Sequence, residues 1–139
     1  MIEMVINGNP IPQKRHRYRR TSNRIISYDP NSGDKQAFAM QLASIMTSKP
    51  FDEPLCVEMI FYMKRPKNHF RTGKYSHKLK KGIEEDHSKK PDVDNLVKFV
   101  MDSGNKIVWK DDCCISQLRT MKLYSLNPRT EIRVWKIDE

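Results

Sequence analysis

Asp92 and Asp94 are the residues whose types and spacing could carry chemistry. Pro91 favours an extended residue before it and a helix after it, so the two carboxylates stand two apart in an extended approach and point the same way. Asp94 is also well placed as the N-cap of that helix, where the positive end of the helix dipole favours a negative group. Neighbouring carboxylates repel each other, and a hard divalent cation relieves that repulsion because it takes oxygen ligands. We therefore predict a divalent-metal site here.

Lys98 and Asp102 continue the pattern along the same predicted helix. Each follows the preceding charged residue by four positions, so Asp94, Lys98 and Asp102 share one helix face. Beside a metal held by carboxylates, a lysine can stabilise the negative charge that develops on a phosphate. The same spacing also suits a helical salt bridge, worth roughly a few tenths of a kcal/mol. Spacing alone supports these two roles of Lys98 equally.

A second acidic pair, Asp111-Asp112, follows the apolar run at residues 107–109. The run predicts a short strand or an extended approach to a turn, and such an end can deliver ligands to a rigid site. Asp is also simply a good turn residue, so the pair alone does not identify a ligand. An EF-hand is excluded because Leu96 and Val97 stand where a ligand and a glycine are needed. The sequence has no phosphate-cradling glycine loop and no zinc-like spacing of histidines and cysteines.

The formal charge of +9 suggests a polyanion as partner, with nucleic acid the first candidate. Most of the excess lies in what we call the first basic segment (residues 13–24) and the second basic segment (residues 64–90). Like charges repel, so both are predicted to be loops, at about 10–31 and 65–90, that become ordered on an anion. Cations would contact phosphates while the interleaved rings stack on unpaired bases. The alternative is two solvated loops of no special purpose. The cations predicted to contact DNA are Lys14, Arg15, Arg17, Arg19, Arg20, Arg71 and Lys74.

The hydrophobic pattern predicts the elements that must position these residues. Strands are predicted at residues 2–6 and 55–63, the second with alternating apolar residues on one side. Helices are predicted over residues 34–48, with a broad apolar face, and over residues 94–104. The first of these helices ends just before a proline, and the second carries the acids described above.

The last two strands, at residues 115–124 and 130–137, are predicted to form a hairpin around residues 126–128. The resulting order is βαβαββ. It predicts one α+β domain over residues 1–139, with a mostly antiparallel sheet and two main helices packed on one face.

The cysteines and the hydropathy indicate where such a protein would be found. Three cysteines, with Cys113 and Cys114 adjacent, do not form the pattern of a secreted disulfide framework, so reduced thiols are expected. No window reaches the ~18 apolar residues of a membrane span, and the N-terminus lacks the apolar core of a signal peptide. We expect a soluble, cytoplasmic protein without membrane contact.

Residues 90–98, Asp102 and residues 108–112, followed by the apolar Ile115, resemble the RusA family of Holliday junction resolvases. These are small proteins of bacteria and their phages. Residues 8–17 are also similar to that family's opening, a proline-rich turn leading into a basic loop. The resemblance covers the order of elements along most of the chain, and its specificity lies in the acidic stretch. The second basic segment departs from the family pattern, being longer and more basic.

The resemblance implies roles for individual residues, a cofactor and an assembly. The family implies a homodimer and a magnesium cofactor, for which Mn²⁺ is expected to substitute. The residues that match its catalytic positions are Asp92, Asp94, Lys98 and Asp112, of which the three acids would hold the metal. The accessory positions are Asn95, Asp102 and Asp111, the last as the next candidate ligand after Asp112.

Together with the residues above, the resemblance implies a magnesium-dependent, structure-selective DNA endonuclease of recombination and repair. It would resolve four-way junctions by paired symmetric nicks, which calls for two active sites and therefore a two-fold homodimer. Two alternatives remain. One is a metal-dependent nuclease that acts on other branched DNA such as flaps. The other is a non-catalytic DNA-binding module in which the acids only cap a helix and accept salt bridges.

Overall fold

The predicted strand with alternating apolar residues lies at the centre of the main sheet. In the computed structural model, which describes residues 1–138, it buries Leu55, Val57, Met59, Phe61 and Met63 on one side. The described strands are β1 (Ile2–Asn7), β2 (Arg17–Arg20), β3 (Ile25–Tyr28), β4 (Leu55–Lys64), β5 (Ile115–Ser125) and β6 (Arg129–Lys136), and the helices are α1 (Ser32–Ile45) and α2 (Val93–Gly104).

The main sheet has the strand order β1-β6-β4-β5. β6 runs antiparallel to β1 and to β4, whereas β5 runs parallel to β4. The predicted hairpin of the last two strands is therefore wrong, because β4 lies between them. Residues 126–128 connect β5 to β6 across the end of β4. The distance is two strand spacings, about 10 Å, which three linking residues can span. This arrangement buries the long apolar face of β4 in the middle of the sheet, which a β5–β6 hairpin would not do.

The two helices cover one face of this sheet. The rings of Phe38 in α1 and Phe99 in α2 meet edge to face with their centroids 5.4 Å apart, and both belong to the core formed with the inner side of β4. α2 links β4 to β5, as neighbouring parallel strands require a crossover. The predicted α+β class, with two helices and a mostly antiparallel sheet, is confirmed. The parallel β4–β5 pair makes the sheet mixed.

The predicted broad apolar face of the first helix is wrong. Only Phe38 and Leu42 of α1 are buried, and Met40 is 74% exposed. The two buried residues stand four apart, so they form a narrow stripe on the side that meets α2 and β1. Within residues 1–138, no helix is long and apolar enough to cross a membrane.

The other face of the sheet carries ion pairs. The guanidinium of Arg133 contacts Glu3 (Nε to Oε1, 3.2 Å) and Glu58 (Nη1 to Oε1, 2.9 Å). On the same face, the guanidinium carbon of Arg129 lies 3.7 Å from the centroid of the Tyr62 ring. A face of this composition can meet water directly, as antiparallel sheets commonly do.

Part of the first basic segment is a hairpin, which corrects the predicted loop over residues 10–31. β2 pairs antiparallel with β3, from Arg17 opposite Tyr28 to Arg20 opposite Ile25. The β-branched residues of β3 favour a strand, and the ladder spaces the charges of β2 on alternate sides. The turn is closed by Thr21, whose backbone N–H and hydroxyl both donate to the carbonyl of Arg24 (2.8 and 2.9 Å).

Residues 106–108 form a turn, and the strand or extended approach predicted for residues 107–109 is reduced to Trp109, which makes a parallel bridge to Phe51. The backbone N–H groups of Ile107 and Val108 donate to the carbonyl of Gly104 (3.1 and 2.9 Å). Trp109 packs directly over Gly104, where an added Cβ would lie 2.6 Å from its ring. Its indole N–H donates to the carbonyl of Met101 (3.1 Å). The turn therefore folds back and ties the second acidic pair to the end of α2.

Candidate active site

α2 presents Asp92 and Asp94 at its first turn. Asp92 is the N-cap residue in an extended conformation (φ −69°, ψ 146°), and its carbonyl accepts a hydrogen bond from the N–H of Leu96 (3.3 Å). The prediction that Asp94 is the N-cap is wrong, because Asp92, just after Pro91, already takes that geometry. Asp94 lies inside the helix, where its Oδ1 accepts a bond from the N–H of Asn95 (2.9 Å). Both carboxylates are exposed at the positive end of the helix dipole, which favours negative groups.

The polar face of α2 forms one wall of a cavity of about 540 Å³. The opposite face of the helix is buried in the core, which fixes the direction of the polar side chains. The predicted site residues that line the cavity together are Asp92, Asp94, Asn95, Lys98, Asp102, Lys14 and Arg15. Acids and cations that are distant in the sequence therefore face the same space.

Lys98 has no ion-pair partner among residues 1–138. Asp102, one of its two candidate helical partners, is instead paired with Lys35, whose Nζ lies 3.0 Å from its Oδ2. Asp94 forms no ion pair with Lys98 either. The helical salt bridge, one of the two roles that the spacing allowed, is absent from the described residues, and the Lys98 ammonium is left to the cavity.

Lys35 joins Asp102 to Asp29, whose Oδ2 lies 2.6 Å from Nζ. Partial burial lowers the pKa of Lys35, but the hydrogen bonds to Asp29 and Asp102 outweigh that effect and raise it above its ordinary value. Burial likewise raises the pKa of Asp29, but hydrogen bonds from Lys35, the Asn31 N–H and Gln13 lower it to about 2. Lys35 and Asp29 therefore both stay charged at neutral pH.

The wall of the cavity opposite α2 is residues 13–16, held by the backbone. The N–H of Gln13 donates to the carbonyl of Asn95 (2.9 Å), and the N–H of Lys14 donates to Oδ1 of Asn31 (2.6 Å). Asn31 is fully buried and also donates through Nδ2 to the carbonyl of Pro12 (3.3 Å). The first residues of the first basic segment are therefore held against α2, beside the acids.

Five residues of this site were missed by sequence reasoning: Gln13, His16, Asp29, Asn31 and Lys35. One signal was available for the last, because Lys35 is the only lysine or arginine in residues 25–48. Asp34 is the only other charged residue of α1, and adjacent residues do not face each other on a helix, so Lys35 indicates an acid partner elsewhere in the fold. Asp29 and Asn31 flank a proline, and their turn-forming character concealed their contacts.

Asp112 does not line the cavity. It begins a single 3₁₀ turn at residues 112–114 and is half-buried. Burial raises the pKa of Asp112, and the nearby charges of Asp111 and Asp102 raise it further. The pair with Asp111 thus adds negative charge close to the Asp102 end of α2. The neighbouring thiol of Cys113 has its pKa raised to about 11, first by a hydrogen bond with Asp111 and then by burial and nearby negative charge, so it is not a ready thiolate.

The chemistry of the three predicted ligands fits a hard divalent cation. Asp92, Asp94 and Asp112 offer carboxylate oxygens, and within residues 1–138 none of them takes part in an ion pair. Burial is the largest cause of the raised pKa of Asp112, but Asp111 and Asp102 lie close enough to raise it further, so negative charge accumulates at this position. In the described chain no three ligating side chains are gathered into a ready-made site. The fit therefore lies in the donor type and the surplus charge.

The other cations predicted to contact DNA lie outside the cavity. The arginines of β2 are exposed on the hairpin. In the second basic segment, the guanidinium carbon of Arg71 and the Nζ of Lys74 lie 4.6 and 5.2 Å from the centroid of the Tyr75 ring. The predicted DNA-binding cations therefore form three groups: Lys14 and Arg15 at the acids, the β2 hairpin, and the surroundings of Tyr75.

Comparison with known proteins gives two matches. The sequence model of a family described as "Endodeoxyribonuclease RusA" matches residues 7–135, nearly the whole chain. A curated relative, the uncharacterized protein YqaN of Bacillus subtilis (strain 168), is 29% identical over 141 residues, which covers 98% of this chain and 96% of the relative. The region matched by the family model includes both basic segments and all the acids of the candidate site.

Proposed function

Because the chain belongs to the RusA endodeoxyribonuclease family and is thus a DNA-cutting hydrolase, we propose that it resolves four-way DNA junctions by paired, magnesium-dependent nicks. The observation that carries this proposal is the cavity at the start of α2, where exposed acids and cations face the same space. Phosphodiester hydrolysis assisted by a divalent cation uses these two kinds of group side by side.

The proposed ligands of Mg²⁺, or of Mn²⁺ in its place, are Asp92, Asp94 and Asp112. They would hold the ion that lowers the pKa of a bound water and polarises the phosphate. Asp92 and Asp94 stand on the first turn of α2, whose buried face keeps them in position. The turn before Asp112 is fastened to the same helix by the indole of Trp109.

Lys98 is proposed to offset the charge that develops at the scissile phosphate. A lysine held in a salt bridge would have to leave its partner before it could contact a phosphate. Lys98 has no such partner in the described chain, because Lys35 pairs with Asp102. Support for the role of Lys98 is therefore its place in the cavity together with the absence of an ion pair to Lys98 among the described residues.

The remaining cations are proposed to bind the phosphates of the junction arms. Lys14 and Arg15 would contact the strand being cut, since they line the cavity with the acids. The β2 hairpin would lie along the adjoining duplex, because its side chains are all exposed and its backbone is fixed by β3. Contacts of this kind position DNA without reading its sequence.

The chain is further proposed to act as a two-fold homodimer. The cavity described above provides one catalytic cluster in each chain, and one cluster cuts one strand at a time. Two nicks placed symmetrically on opposed strands need two clusters related by the symmetry of the junction. A self-complementary interface between two copies supplies that relation.

A cleavage assay tests the proposal. Purified protein is incubated with end-labelled four-way, flap and duplex DNA of matched sequence, with and without Mg²⁺. We expect symmetric nicks in the four-way junction, only when Mg²⁺ is present. Preferential cutting of the flap would favour the nuclease for other branched DNA. Binding of all three substrates without cutting would favour the non-catalytic module and overturn the proposal.

A further inference from the structure

The part of the second basic segment at residues 67–80, here called the 67–80 loop, is folded before any DNA is present. Its two sides are joined by an antiparallel bridge between Phe70 and Leu79. The Arg71 N–H donates to the carbonyl of Lys78 (2.8 Å), and the Lys80 N–H to the carbonyl of His69 (2.9 Å). The positive side chains of this loop repel one another, which disfavours a compact conformation. Because the backbone bonds hold the loop together in spite of that repulsion, we infer that its shape has a function.

The base of the 67–80 loop is anchored to the main sheet. Buried Arg65 donates through Nη1 to the carbonyl of Glu84 (2.9 Å), on the far side of the loop. Buried His69 packs its ring edge against Tyr124 of β5, with the centroids 4.6 Å apart. Residues 85–87 then pair with β5, where the Tyr124 N–H donates to the carbonyl of Glu85 (2.7 Å). The loop is therefore held at a fixed place relative to the sheet that supports α2.

The 67–80 loop borders an open cavity of about 630 Å³ that is separate from the cavity at α2. Its lining includes the half-buried ring of Phe70 and three cations, Lys67, Arg71 and Lys80, with no acid. Neither lysine takes part in an ion pair in the described chain, and no Asp or Glu occurs within residues 67–80. The amide of Asn68 adds a group that can donate and accept hydrogen bonds.

An aromatic ring, several unpaired cations and an amide around one cavity suit a flat ring that carries a phosphate. The volume lies within the range of about 300–1,000 Å³ that is typical of small-ligand sites. A base in intact duplex DNA is stacked and paired, so it cannot present its face to Phe70. A base that has lost its partner, as at a branch point or a gap, can do so at a modest cost in stacking energy.

We propose that the 67–80 loop is a binding site for one unpaired nucleotide of a DNA strand. Phe70 stacks on the base, Lys67, Arg71 and Lys80 bind the flanking phosphates, and Asn68 contacts the edge of the base. This inference rests on the proposed function for its choice of DNA as the ligand. The site would let the protein distinguish branched from unbranched DNA.

The test measures binding in the absence of metal, so that cleavage plays no part. The probes are a duplex with one unpaired 2-aminopurine nucleotide, the fully paired duplex, and free thymidine monophosphate as competitor. Phe70→Leu keeps an apolar side chain but removes stacking, whereas Phe70→Tyr restores it. Tyr62→Leu is the matched control, because it removes an aromatic ring from the solvent-facing side of the sheet, outside the 67–80 loop.

We expect Phe70→Leu to weaken binding of the unpaired probe about tenfold and to abolish its change in fluorescence, with duplex affinity unchanged. Phe70→Tyr and Tyr62→Leu should behave as the wild type. If Phe70→Leu lost the same affinity for both duplexes, or lost no affinity for either, the proposed site would be wrong. If thymidine monophosphate displaced the unpaired probe completely at a concentration as low as that of the probe, the site would be reassigned to free nucleotides.

The outcome is separable from that of the proposed function. Failure of four-way junction cleavage with a normal 2-aminopurine response would remove the resolvase and leave the nucleotide site. Normal cleavage with no response to Phe70→Leu would remove the site and leave the resolvase.

Discussion

Lys35 and Lys98 both lie near Asp102, yet only Lys35 is paired with it. Asp29 gives Lys35 a second carboxylate. The ammonium of Lys35 is therefore paired with two acids, whereas that of Lys98 has no ion-pair partner among the described residues. The shared face of Asp94, Lys98 and Asp102 could be predicted, because residues four apart are neighbours on a helix. The choice between a salt bridge and a substrate contact could not, because it depends on Lys35, 67 positions away from Asp102 in the chain.

Asp112→Asn is expected to abolish cleavage of a four-way junction while leaving binding intact or tighter. Loss of a ligand removes the metal, whereas loss of a negative charge does not weaken affinity for a polyanion. The same result is expected for Asp92→Asn and Asp94→Asn. Cleavage and gel-shift assays run in parallel would measure both properties.

Asp111→Asn is the matched comparison for this prediction, because it removes the same charge from the adjacent residue. We expect it to keep most of the cleavage activity. A variant Asp112→Asn that cuts normally would show that the ligand has been assigned to the wrong residue, and a larger loss in Asp111→Asn would identify the replacement.

Lys98→Ala is expected to lower the single-turnover cleavage rate about 100-fold or more, the scale seen when one charge-stabilising group is removed from an active site. Because the side chain is exposed and unpaired among the described residues, thermal stability should be unchanged. Lys49→Ala removes an exposed lysine from outside the site and serves as the control. Full activity of Lys98→Ala would reduce this residue to a solvated charge.

Asp29→Asn is expected to make stability less sensitive to acid. The pKa of Asp29 falls from 3.8 to about 2 on folding, so the folded state holds fewer protons than the unfolded state in this range. The stabilisation, roughly 2 kcal/mol at most, is complete above about pH 4 and is lost as the pH falls through 2. Urea unfolding at several pH values across this range should show that the free energy of unfolding falls less with decreasing pH in the variant than in the wild type. An unchanged decline would mean that other acids govern it.

At the scale of elements, the sequence identified every strand of the main sheet but not all of their partners. Val57 of β4 lies opposite Leu118 of β5 and opposite Val134 of β6. Alternating apolar residues mark each segment as a strand with an inner face, but they suit any neighbour with the same alternation. The choice is made by the crossover through α2, which brings β5 alongside β4 in parallel. Such a choice is non-local, so local patterns do not determine it.

The β2 hairpin gives the first basic segment a defined shape, and its contribution to DNA binding can be counted. Replacing Arg15, Arg17 and Arg19 together by Ala should reduce the slope of log K against log [salt] by about one unit for each phosphate-binding arginine removed. Fluorescence anisotropy with a four-way junction at several salt concentrations would measure the slope. An unchanged slope would mean that this segment does not touch DNA.

A charge-matched control separates local phosphate binding from the general reduction in positive charge. It replaces three exposed lysines that lie outside both basic segments by Ala: Lys49, Lys106 and Lys136. This variant has the same net charge as the triple-arginine variant. Its salt slope should stay close to that of the wild type, because long-range attraction without phosphate binding releases few counterions.

At the scale of the whole molecule, the fold class could be predicted and the meeting of the first basic segment with the acids could not. The order of elements determines how many layers the domain has. The approach of residues 13–16 to α2 depends on Asn31, a buried side chain that binds Lys14 and Pro12 at once. In the sequence, Asn31 looks like one more turn residue before a helix.

The proposed assembly is expected to be a stable dimer of about 33 kDa, twice the 16.4 kDa of one chain, at micromolar concentration without DNA. Sedimentation equilibrium would measure it. Mixed dimers with one Asp94→Asn subunit should nick one strand and stall, because each subunit cuts only its own strand. Sedimentation of a monomer alone, both free and on a junction, would contradict paired resolution and favour the nuclease for other branched DNA.

The central place of β6 in the sheet has a consequence for synthesis. The ribosome makes β6 after the other described strands, yet β6 belongs between β1 and β4. A nascent chain can pair β5 with β4, but β1 has no partner in the main sheet until residues 129–136 emerge. The two halves of the layer beneath α2 stay separate until then. We therefore expect that translation itself delays the appearance of nuclease activity until the last strand is inserted.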